Sequence, residues 1–352
     1  MNALVIKRPD DWHLHLRDGE MLQAVLPFSA GLYGRAIIMP NLRPPVRTAK
    51  DAAAYRQRIL NCLPPGHGFQ PLMTLYLTDE TPAAEIRRAK SEGLITGVKL
   101  YPVGATTNSE QGVTDISKVY PVLEVMQELD IPLLIHGEVS NPAVDIFDRE
   151  AVFIERELEP LRQDMPQLKI VMEHVSSKIG VDYVLAAERN LAATVTPHHL
   201  LINRNSIFAG GLNPHMYCLP VVKQEADRLA IRKAAVSGDP RFFFGSDSAP
   251  HRLVDKEKAG AAAGIFNVST ALSAVVQVFE AENAIENLEA FMSVNGPRFY
   301  GLPANPDTIT LKKAKSPIAA AEYIPAGGDR VQVFQTQEPL YWRVVDGLRQ
   351  TK

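Results

Sequence analysis

The stretch QPLMTLYLTDETPAAEIRRAKSEGLITGVKLY, residues 70–101, contains a unit of secondary structure that the rest of the chain repeats. It begins with an apolar run at 70–77 and ends with a second apolar run at 97–101, and the segment between them has a helical pattern. Short apolar runs of this kind are typical of strands that are buried on both faces, as in a parallel sheet. The stretch therefore predicts a strand, a helix and a second, parallel strand.

The same alternation extends over most of the chain. Eight apolar runs are interpreted as strands, at residues 12–16, 35–41, 70–77, 97–101, 132–138, 168–174, 191–199 and 241–247. Eight successive strand–helix repeats predict a (β/α)8 TIM barrel, an α/β fold. The alternative is a doubly wound open sheet, which predicts a glycine-rich phosphate-binding turn after the first strand. The sequence has no such turn at that position.

The segments between the runs have the apolar spacing of helices. In SKVYPVLEVMQELD, one helical face carries Val119, Val122, Leu123, Met126 and Leu129. The segments TAKDAAAYRQRIL, TPAAEIRRAKSEG, REAVFIERELEPL and QEADRLAIRKAAV are similar, and Thr48 and Thr81 are expected to cap two of these helices. After about residue 300 the alternation ends. We therefore expect one domain over residues 1–352, with the barrel at about 1–300 and an extension at 301–352 packed on it.

The composition argues against several classes of protein. The chain of 352 residues is 46% hydrophobic and 22% charged, the balance of an ordinary globular protein. A formal charge of −3 and the lack of a long Lys/Arg block argue against a nucleic-acid or membrane partner. The two cysteines, Cys62 and Cys218, are typical of a reducing compartment. The first residues lack a signal-peptide pattern, and we therefore expect a cytoplasmic protein.

Polar side chains stand at the ends of five predicted strands, where active sites of TIM barrels lie. They are His13 and His15 on the first run, Lys99 on the fourth, His136 on the fifth, His174 on the sixth and Asp247 on the eighth, with His251 following. Because side chains alternate faces along a strand, His13 and His15 are expected to point the same way. If they point inward, they can bind a divalent metal such as zinc together with the other histidines and the carboxylate. One such histidine alone would more often be a core residue, but the joint placement favours a metal site.

Lys99 is the most informative of these residues. Val98 and Leu100 flank it, so its side chain faces away from both of theirs. It could reach the rim of the barrel or pair with Asp247, because an isolated buried ammonium is costly and burial lowers its pKa. Alternatively, the neutral amine can add carbon dioxide, and the resulting carbamate can bridge two metal ions. A carbamate fits beside four imidazoles and a metal better than a cation does.

The sequence resembles a known family. DWHLHLRDG (11–19) and GSDSAPHRLVDK (245–256) match the two signature motifs of the dihydroorotases, in the amidohydrolase superfamily. The motifs MPN, GVKLYP, IHGE, MEHV, NPHMYCLP and VNGPRFYGL also match, in the expected order. The resemblance covers nearly the whole chain and is closest to the short, free-standing bacterial dihydroorotases.

The resemblance implies two zinc ions per chain. His13, His15 and Asp247 would bind the more buried ion, and His136 and His174 would bind the second. Lys99, carbamylated to N6-carboxylysine, would bridge the two together with a hydroxide. Asp247 would also act as the general base that activates the hydroxide and then protonates the leaving nitrogen. The implied reaction is the reversible interconversion of dihydroorotate and N-carbamoyl-aspartate in pyrimidine synthesis, and the implied assembly is a homodimer.

Other residues are expected to bind the substrate, which is a cyclic ureide with a carboxylate. Arg17 can bind that carboxylate with two hydrogen bonds, and together with Asn41 and His251 it would form a carboxylate clamp. A surface salt bridge is the alternative for Arg17. By resemblance, the backbones near Leu219 and Ala263 would hold the ring amides.

The segment 103–113 follows Lys99 and is rich in Gly, Thr, Asn and Ser. It is either an ordinary solvated loop or a lid that closes over the ligand, with Thr106 and Thr107 supplying hydroxyl donors. The resemblance favours the lid.

Other functions are compatible with the same fold but involve a different substrate or reaction. A hydantoin, dihydropyrimidine or allantoin hydrolase would have no use for a carboxylate clamp, and a deaminase of the same superfamily would not need Lys99. A catalytically inactive scaffold should have lost metal ligands. Among the remaining histidines, we expect roles in the core or behind the ligands for His198 and His199 and a loop position for His67, while the role of His215 stays open.

Overall fold

The computed structural model describes residues 2–349 of the chain. Over these residues the strands are β1 Ala3–Lys7, β2 Asp11–Leu14, β3 Arg35–Ile38, β4 Gln70–Tyr76, β5 Gly97–Leu100, β6 Leu133–Ile135, β7 Ile170–Met172, β8 Leu191–Val195, β9 Phe242–Phe244, β10 Thr308–Lys313, β11 Tyr323–Ala326, β12 Asp329–Gln332 and β13 Trp342–Asp346. Strands β2 to β9 form one parallel sheet in chain order. A parallel bridge between Leu14 and Ser248 joins its first strand to the segment after its last. This closure confirms the predicted (β/α)8 barrel and excludes the open sheet.

The helices lie between the strands, as the apolar spacing predicts. They are α1 Gly19–Leu32, α2 Ala49–Asn61, α3 Ala83–Ser91, α4 Tyr120–Glu128, α5 Arg149–Phe153, α6 Glu159–Asp164, α7 Lys178–Ala186, α8 Pro197–Leu201, α9 Asn205–Phe208, α10 Glu225–Val236, α11 Leu253–Lys256, α12 Val268–Ala281 and α13 Asn295–Tyr300. Short 3-10 turns cover Ile116–Val119, Pro214–Met216 and Ile285–Asn287, and π-helical turns cover Ile154–Leu158 and Ala290–Val294. Among residues 2–349, no helix has the length and the apolar sequence needed to cross a bilayer.

The two predicted helix caps differ in outcome. Thr48 is confirmed as the cap of α2, where it forms a reciprocal capping box with Asp51. The prediction for Thr81 is wrong, because Pro82 occupies the cap position of α3 and makes no side-chain cap bond. The Thr81 hydroxyl instead accepts the backbone N–H of Thr78 at 2.9 Å, so it closes the preceding turn.

The interior of the barrel is a small apolar core. Its residues are Trp12, Ile37, Met39, Leu134, Val171, Ala192 and Phe243. Tyr300 of α13 stacks on Trp12, with ring centroids 4.5 Å apart, and packs against this core. Apolar side chains fill this part of the barrel, and the predicted site residues lie towards the C-terminal ends of the strands.

The first barrel strand departs from strict alternation. It ends at Leu14, so His15 lies just beyond it, and its pairing with β3 shifts register between Asp11 and Leu14. The shift lets Trp12 join the interior core while its neighbour His13 reaches the site above it. The two histidines therefore converge as expected, but through an irregularity of the strand and not through simple alternation.

A second sheet joins the two ends of the chain. Strand β1 pairs antiparallel with β10, which pairs with β13, so the order is β1-β10-β13. The apolar runs did not predict β1, and the structure pairs residues 3–7 with the C-terminal extension and not with the barrel sheet. The single domain over 1–352 stays a prediction.

Candidate metal centre and ligand cavity

Three potential metal ligands converge where the barrel closes. The Nε2 atoms of His13 and His15 lie 3.3 Å apart. Asp247 Oδ1 lies 3.4 Å from the first and 3.2 Å from the second. All three side chains are buried, and one ligand atom from each lies within 4.8 Å of the others. Two imidazole nitrogens and a carboxylate oxygen form a donor set that suits zinc.

His174 and His136 lie beside this group. The ring centroid of His174 is 5.0 Å from that of His13 and 4.8 Å from that of His136. Burial, followed by the nearby charges, lowers the pKa values of His13 and His174 well below their usual range. Both imidazoles are therefore held neutral, which is the form that binds metal ions.

Lys99 extends from β5 into the same site. Its side chain is fully buried, and its Nζ has no hydrogen-bond partner among the residues that the structure describes. Burial lowers the pKa of Lys99 to about 7. An amine with this pKa is substantially neutral at pH 7, as the addition of carbon dioxide requires.

Two buried carboxylates escaped the sequence analysis. Glu173 contacts His13 Nδ1, and Glu138 Oε2 lies 3.0 Å from His136 Nε2. Each carboxylate engages one ring nitrogen and leaves the other nitrogen of the same ring for a metal ion. The motif IHGE contains a signal for Glu138, which lies two positions after His136, whereas no local motif indicates that Glu173 contacts His13.

The backbone is strained at three of the predicted site residues. Arg17, His174 and Asp247 have φ values of 57°, 42° and 43°, which non-glycine residues seldom adopt. The Asp11 carboxylate supports this region by accepting the backbone N–H groups of His13 at 3.1 Å and Ser246 at 2.8 Å. Strain of this kind persists only where the surroundings impose it, and it is concentrated at functional sites.

Most of the predicted site residues line one cavity. Its lining residues are His13, His15, Arg17, Asn41, Tyr101, Thr106, Thr107, His136, His174, Leu219, Asp247, Ala249, Ala263 and Gly264. Of the predicted site residues, only Lys99 and His251 are outside this lining. The sequence analysis missed Tyr101, Ala249 and Gly264.

The predicted carboxylate clamp is assembled around Arg17. Its Nη2 lies 3.1 Å from His251 Nε2, and its Nη1 lies 3.4 Å from His15 Nδ1. Asn41 Oδ1 lies 2.9 Å from His15 Nδ1. Within residues 2–349 Arg17 forms no salt bridge and contacts His15 and His251 instead, so the alternative of a surface salt bridge is wrong.

The segment 103–113 contributes Thr106 and Thr107 to the lining of the cavity. Thr107 Oγ1 donates to Ala263 O at 3.2 Å, and Asn41 Nδ2 donates to Thr107 O at 3.0 Å. Asn108 Nδ2 donates to Asn41 O at 2.8 Å. The segment is thus held on both sides of the cavity, an arrangement that favours the lid, and its movement stays a prediction.

His198 and His199 lie behind the cavity, outside its lining. His198 Nδ1 lies 3.1 Å from Asn267 Nδ2. Together with Cys218, the two histidines bring three potential ligand atoms within 4.8 Å of one another. Both ring nitrogens of His199, however, already contact oxygen atoms, at 2.7 and 3.2 Å. Those contacts favour the predicted core role over metal binding.

The last two histidines lie further out. His215 Nε2 is 2.9 Å from Glu257 Oε1. His67 lies in the loop after α2, as predicted, where its Nδ1 accepts the backbone N–H of Phe69 at 3.1 Å. Neither residue lines the cavity.

The chain is similar to several known proteins. A family model described as the amidohydrolase family matches residues 5–314. A dihydroorotase from Chelativorans sp. (strain BNC1) is 56% identical over 346 residues, which cover 98% of this chain and 100% of that protein. The crystal structure of a Saccharomyces cerevisiae dihydroorotase in complex with 5-fluoroorotic acid superposes with a TM-score of 0.90 at 34% identity, covering 98% of this chain and 99% of that one. A Campylobacter jejuni dihydroorotase superposes with a TM-score of 0.88 at 38% identity, covering 97% of both chains.

Proposed function

The chain belongs to the dihydroorotases of the amidohydrolase family, and we propose that it catalyses the reaction for which they are named. This reaction is the reversible hydrolysis of the cyclic amide (S)-dihydroorotate to N-carbamoyl-L-aspartate, within pyrimidine (UMP) biosynthesis. The proposal rests on one observation. A single cavity contains a cluster of potential metal ligands and, beside it, the Arg17 guanidinium and the Asn41 amide, which can bind a carboxylate. The substrate has both features that such a cavity needs, a hydrolysable ring amide and a carboxylate.

The donor set supports two zinc ions. His13, His15 and Asp247 would hold one ion, His136 and His174 would hold the other, and Lys99, carbamylated on Nζ, would bridge them. Zinc in such a site lowers the pKa of a water molecule and polarises the amide carbonyl. The unpartnered Nζ of Lys99 and its lowered pKa support carbamylation, because only the neutral amine adds carbon dioxide.

Asp247 would act as the proton shuttle. Its Oδ1 lies within 3.4 Å of the Nε2 atoms of both His13 and His15, and the residue lines the cavity. From there the carboxylate can accept a proton from the attacking water and return it to the ring nitrogen that leaves. The left-handed backbone at Asp247 aims this carboxylate at the cavity.

The clamp residues orient the substrate. Arg17 is half-buried and lines the cavity, and its planar guanidinium suits a carboxylate. Asn41 and His251 surround it and supply further polar contacts. The orotate analogue bound to the yeast relative is likewise a pyrimidine with a carboxylate.

Substrate comparison tests the function. The zinc-loaded protein is expected to interconvert dihydroorotate and N-carbamoyl-aspartate, with kcat/KM at least about 100-fold above that for hydantoin or dihydrouracil, which lack the carboxylate. Metal content is measured on the same sample. Equal or faster turnover of hydantoin would instead assign the chain to cyclic ureide hydrolysis without a carboxylate requirement.

We further propose that the protein is a cytoplasmic homodimer. The resemblance to free-standing dihydroorotases supports this assembly. Light scattering coupled to size-exclusion chromatography is expected to give twice the mass of the 38.8 kDa chain. A single-chain mass would contradict it.

A further inference from the structure

We propose that Lys256 is a positioning residue whose ammonium group binds segment 262–264 to segment 217–219 and thereby sets one wall of the ligand cavity. The proposal rests on the function proposed above, because the substrate ring would lie against this wall. Lys256 is the last residue of α11 and of the motif GSDSAPHRLVDK, and the cavity lining does not include it.

The ammonium group is fully satisfied by backbone carbonyls. Lys256 Nζ donates to Tyr217 O at 2.9 Å, to Ala262 O at 2.9 Å and to Gly264 O at 2.8 Å. The residue is only 4% exposed. An ammonium group has three N–H donors, so each donor has one acceptor. A buried cation is tolerated where such a set of dipoles replaces its hydration.

The three acceptors belong to two segments that are far apart in sequence. Leu219 lies in one segment and Ala263 in the other, and both line the cavity. Gly264 N also donates to Tyr217 O at 3.1 Å, so the two backbones are joined directly as well. Gly264 has a φ of +150°, and a Cβ there would lie 2.7 Å from Ala249 O. The segment is therefore tightly packed and has little freedom to move while the lysine holds it.

The position of Ala263 matters for the lid and the clamp. Ala263 lies between two residues whose carbonyls bind Lys256. Its own carbonyl accepts from Thr107 Oγ1 of the lid at 3.2 Å and lies 2.9 Å from His251 Nε2 of the clamp. Losing the ammonium would leave three buried carbonyls without this donor, and the segment would be expected to relax. The Ala263 carbonyl, which contacts both Thr107 and His251, would then no longer be held in place.

The kinetic test uses the zinc-loaded enzyme. Lys256→Met removes the charge but keeps a long apolar side chain, and it is expected to raise the KM for dihydroorotate at least tenfold while metal content stays at the wild-type level. Lys258→Met is the matched control, because Lys258 is exposed and pairs with Asp255, and its KM should equal that of the wild type. A purely structural role would lower the melting temperature and the active fraction without moving KM, and that result would overturn the proposal.

A ligand-free measurement separates this proposal from the proposed function. Hydrogen exchange of the Gly264 amide is expected to be at least tenfold faster in Lys256→Met than in the wild type, with barrel-strand amides unchanged. Faster exchange in a protein whose wild type fails to turn over dihydroorotate would refute the proposed function but keep the positioning role. Unchanged exchange would refute the positioning role.

A second variant covers the case in which Lys256→Met does not fold. Lys256→Arg keeps the charge but presents its donors in one plane, so it cannot satisfy the three carbonyls in the same way. It is expected to raise KM several-fold and to accelerate exchange at Gly264. A folded Lys256→Arg protein with wild-type KM and wild-type exchange would overturn the proposal.

Discussion

Lys99 Nζ lies 3.9 Å from Glu173 Oε2, and neither side chain reaches solvent. The two residues come from β5 and from the end of β7, and Glu173 also contacts His13. Glu173 therefore contacts His13 but makes no hydrogen bond to Lys99 Nζ. Burial lowers the pKa of Lys99 to about 7, and the proposed chemistry requires this amine to be free to react while His13 is held in place.

Lys99→Ala is expected to lose bound zinc and nearly all turnover, because it removes the bridge between the two ions. Adding a short carboxylic acid in excess is expected to restore part of the activity by replacing the carbamate. Zinc content and rate are measured together. Lys90→Ala serves as the control, since Lys90 is exposed on α3. A Lys99→Ala protein with normal zinc and normal rate would exclude the carbamate.

Glu173→Gln is expected to weaken zinc binding by about 10–100-fold, because the neutral amide orients His13 less strongly than the carboxylate does. The measurement is competition with a chelator of known affinity, followed without substrate. Glu128→Gln is a suitable control, because Glu128 is exposed and pairs with Arg87. Zinc affinity equal to that of the wild type would show that Glu173 does not support the metal centre.

Arg17→Met is expected to raise the KM for dihydroorotate by about 100-fold or more while zinc content stays unchanged. The reason is the loss of charge-assisted hydrogen bonds to the carboxylate, each worth roughly 1.5–3 kcal/mol. Arg87→Met, on the exposed face of α3, should behave as the wild type. If KM for Arg17→Met did not change, another residue would hold the carboxylate.

Replacing Thr106 and Thr107 by alanine together is expected to reduce kcat strongly without changing zinc content, because the lid would lose its hydroxyl donors and its contact with Ala263. Thr114→Ala is the control within the same region, since the Thr114 hydroxyl faces Asp79. Steady-state rates in both directions provide the measurement. Full activity in the double variant would show that segment 103–113 is an ordinary loop and not a lid.

The two directions of the reaction are expected to have opposing pH profiles. Ring closure converts a dianion into a monoanion and takes up one proton, so the closed form should lose about tenfold at equilibrium for each pH unit. Hydrolysis needs Asp247 ionised, whereas synthesis needs it protonated. Hydrolysis should therefore rise and synthesis fall between about pH 6 and 9. Rates that rise together in both directions would exclude Asp247 as the proton shuttle.

Much of the site could be predicted because its residues follow strands that the apolar runs locate. His136 follows β6 directly, and Asp247 comes three residues after β9, so the barrel brings their ends together whatever the details of the loops. Glu138 and Glu173 could not be assigned in this way. Each is a common residue type, and its role depends on which ring nitrogen it reaches.

The eight barrel strands, the main helices and the chemical groups at the strand ends could be predicted from the sequence, because burial on one or both faces leaves a local period in the residues. Which distant groups meet became apparent only in the folded chain. Glu173 reaches His13, Lys256 joins segments 217–219 and 262–264, and β1 pairs with β10. Such contacts depend on strand register and barrel closure, which are set by packing across the whole chain and leave no period in any short stretch of sequence.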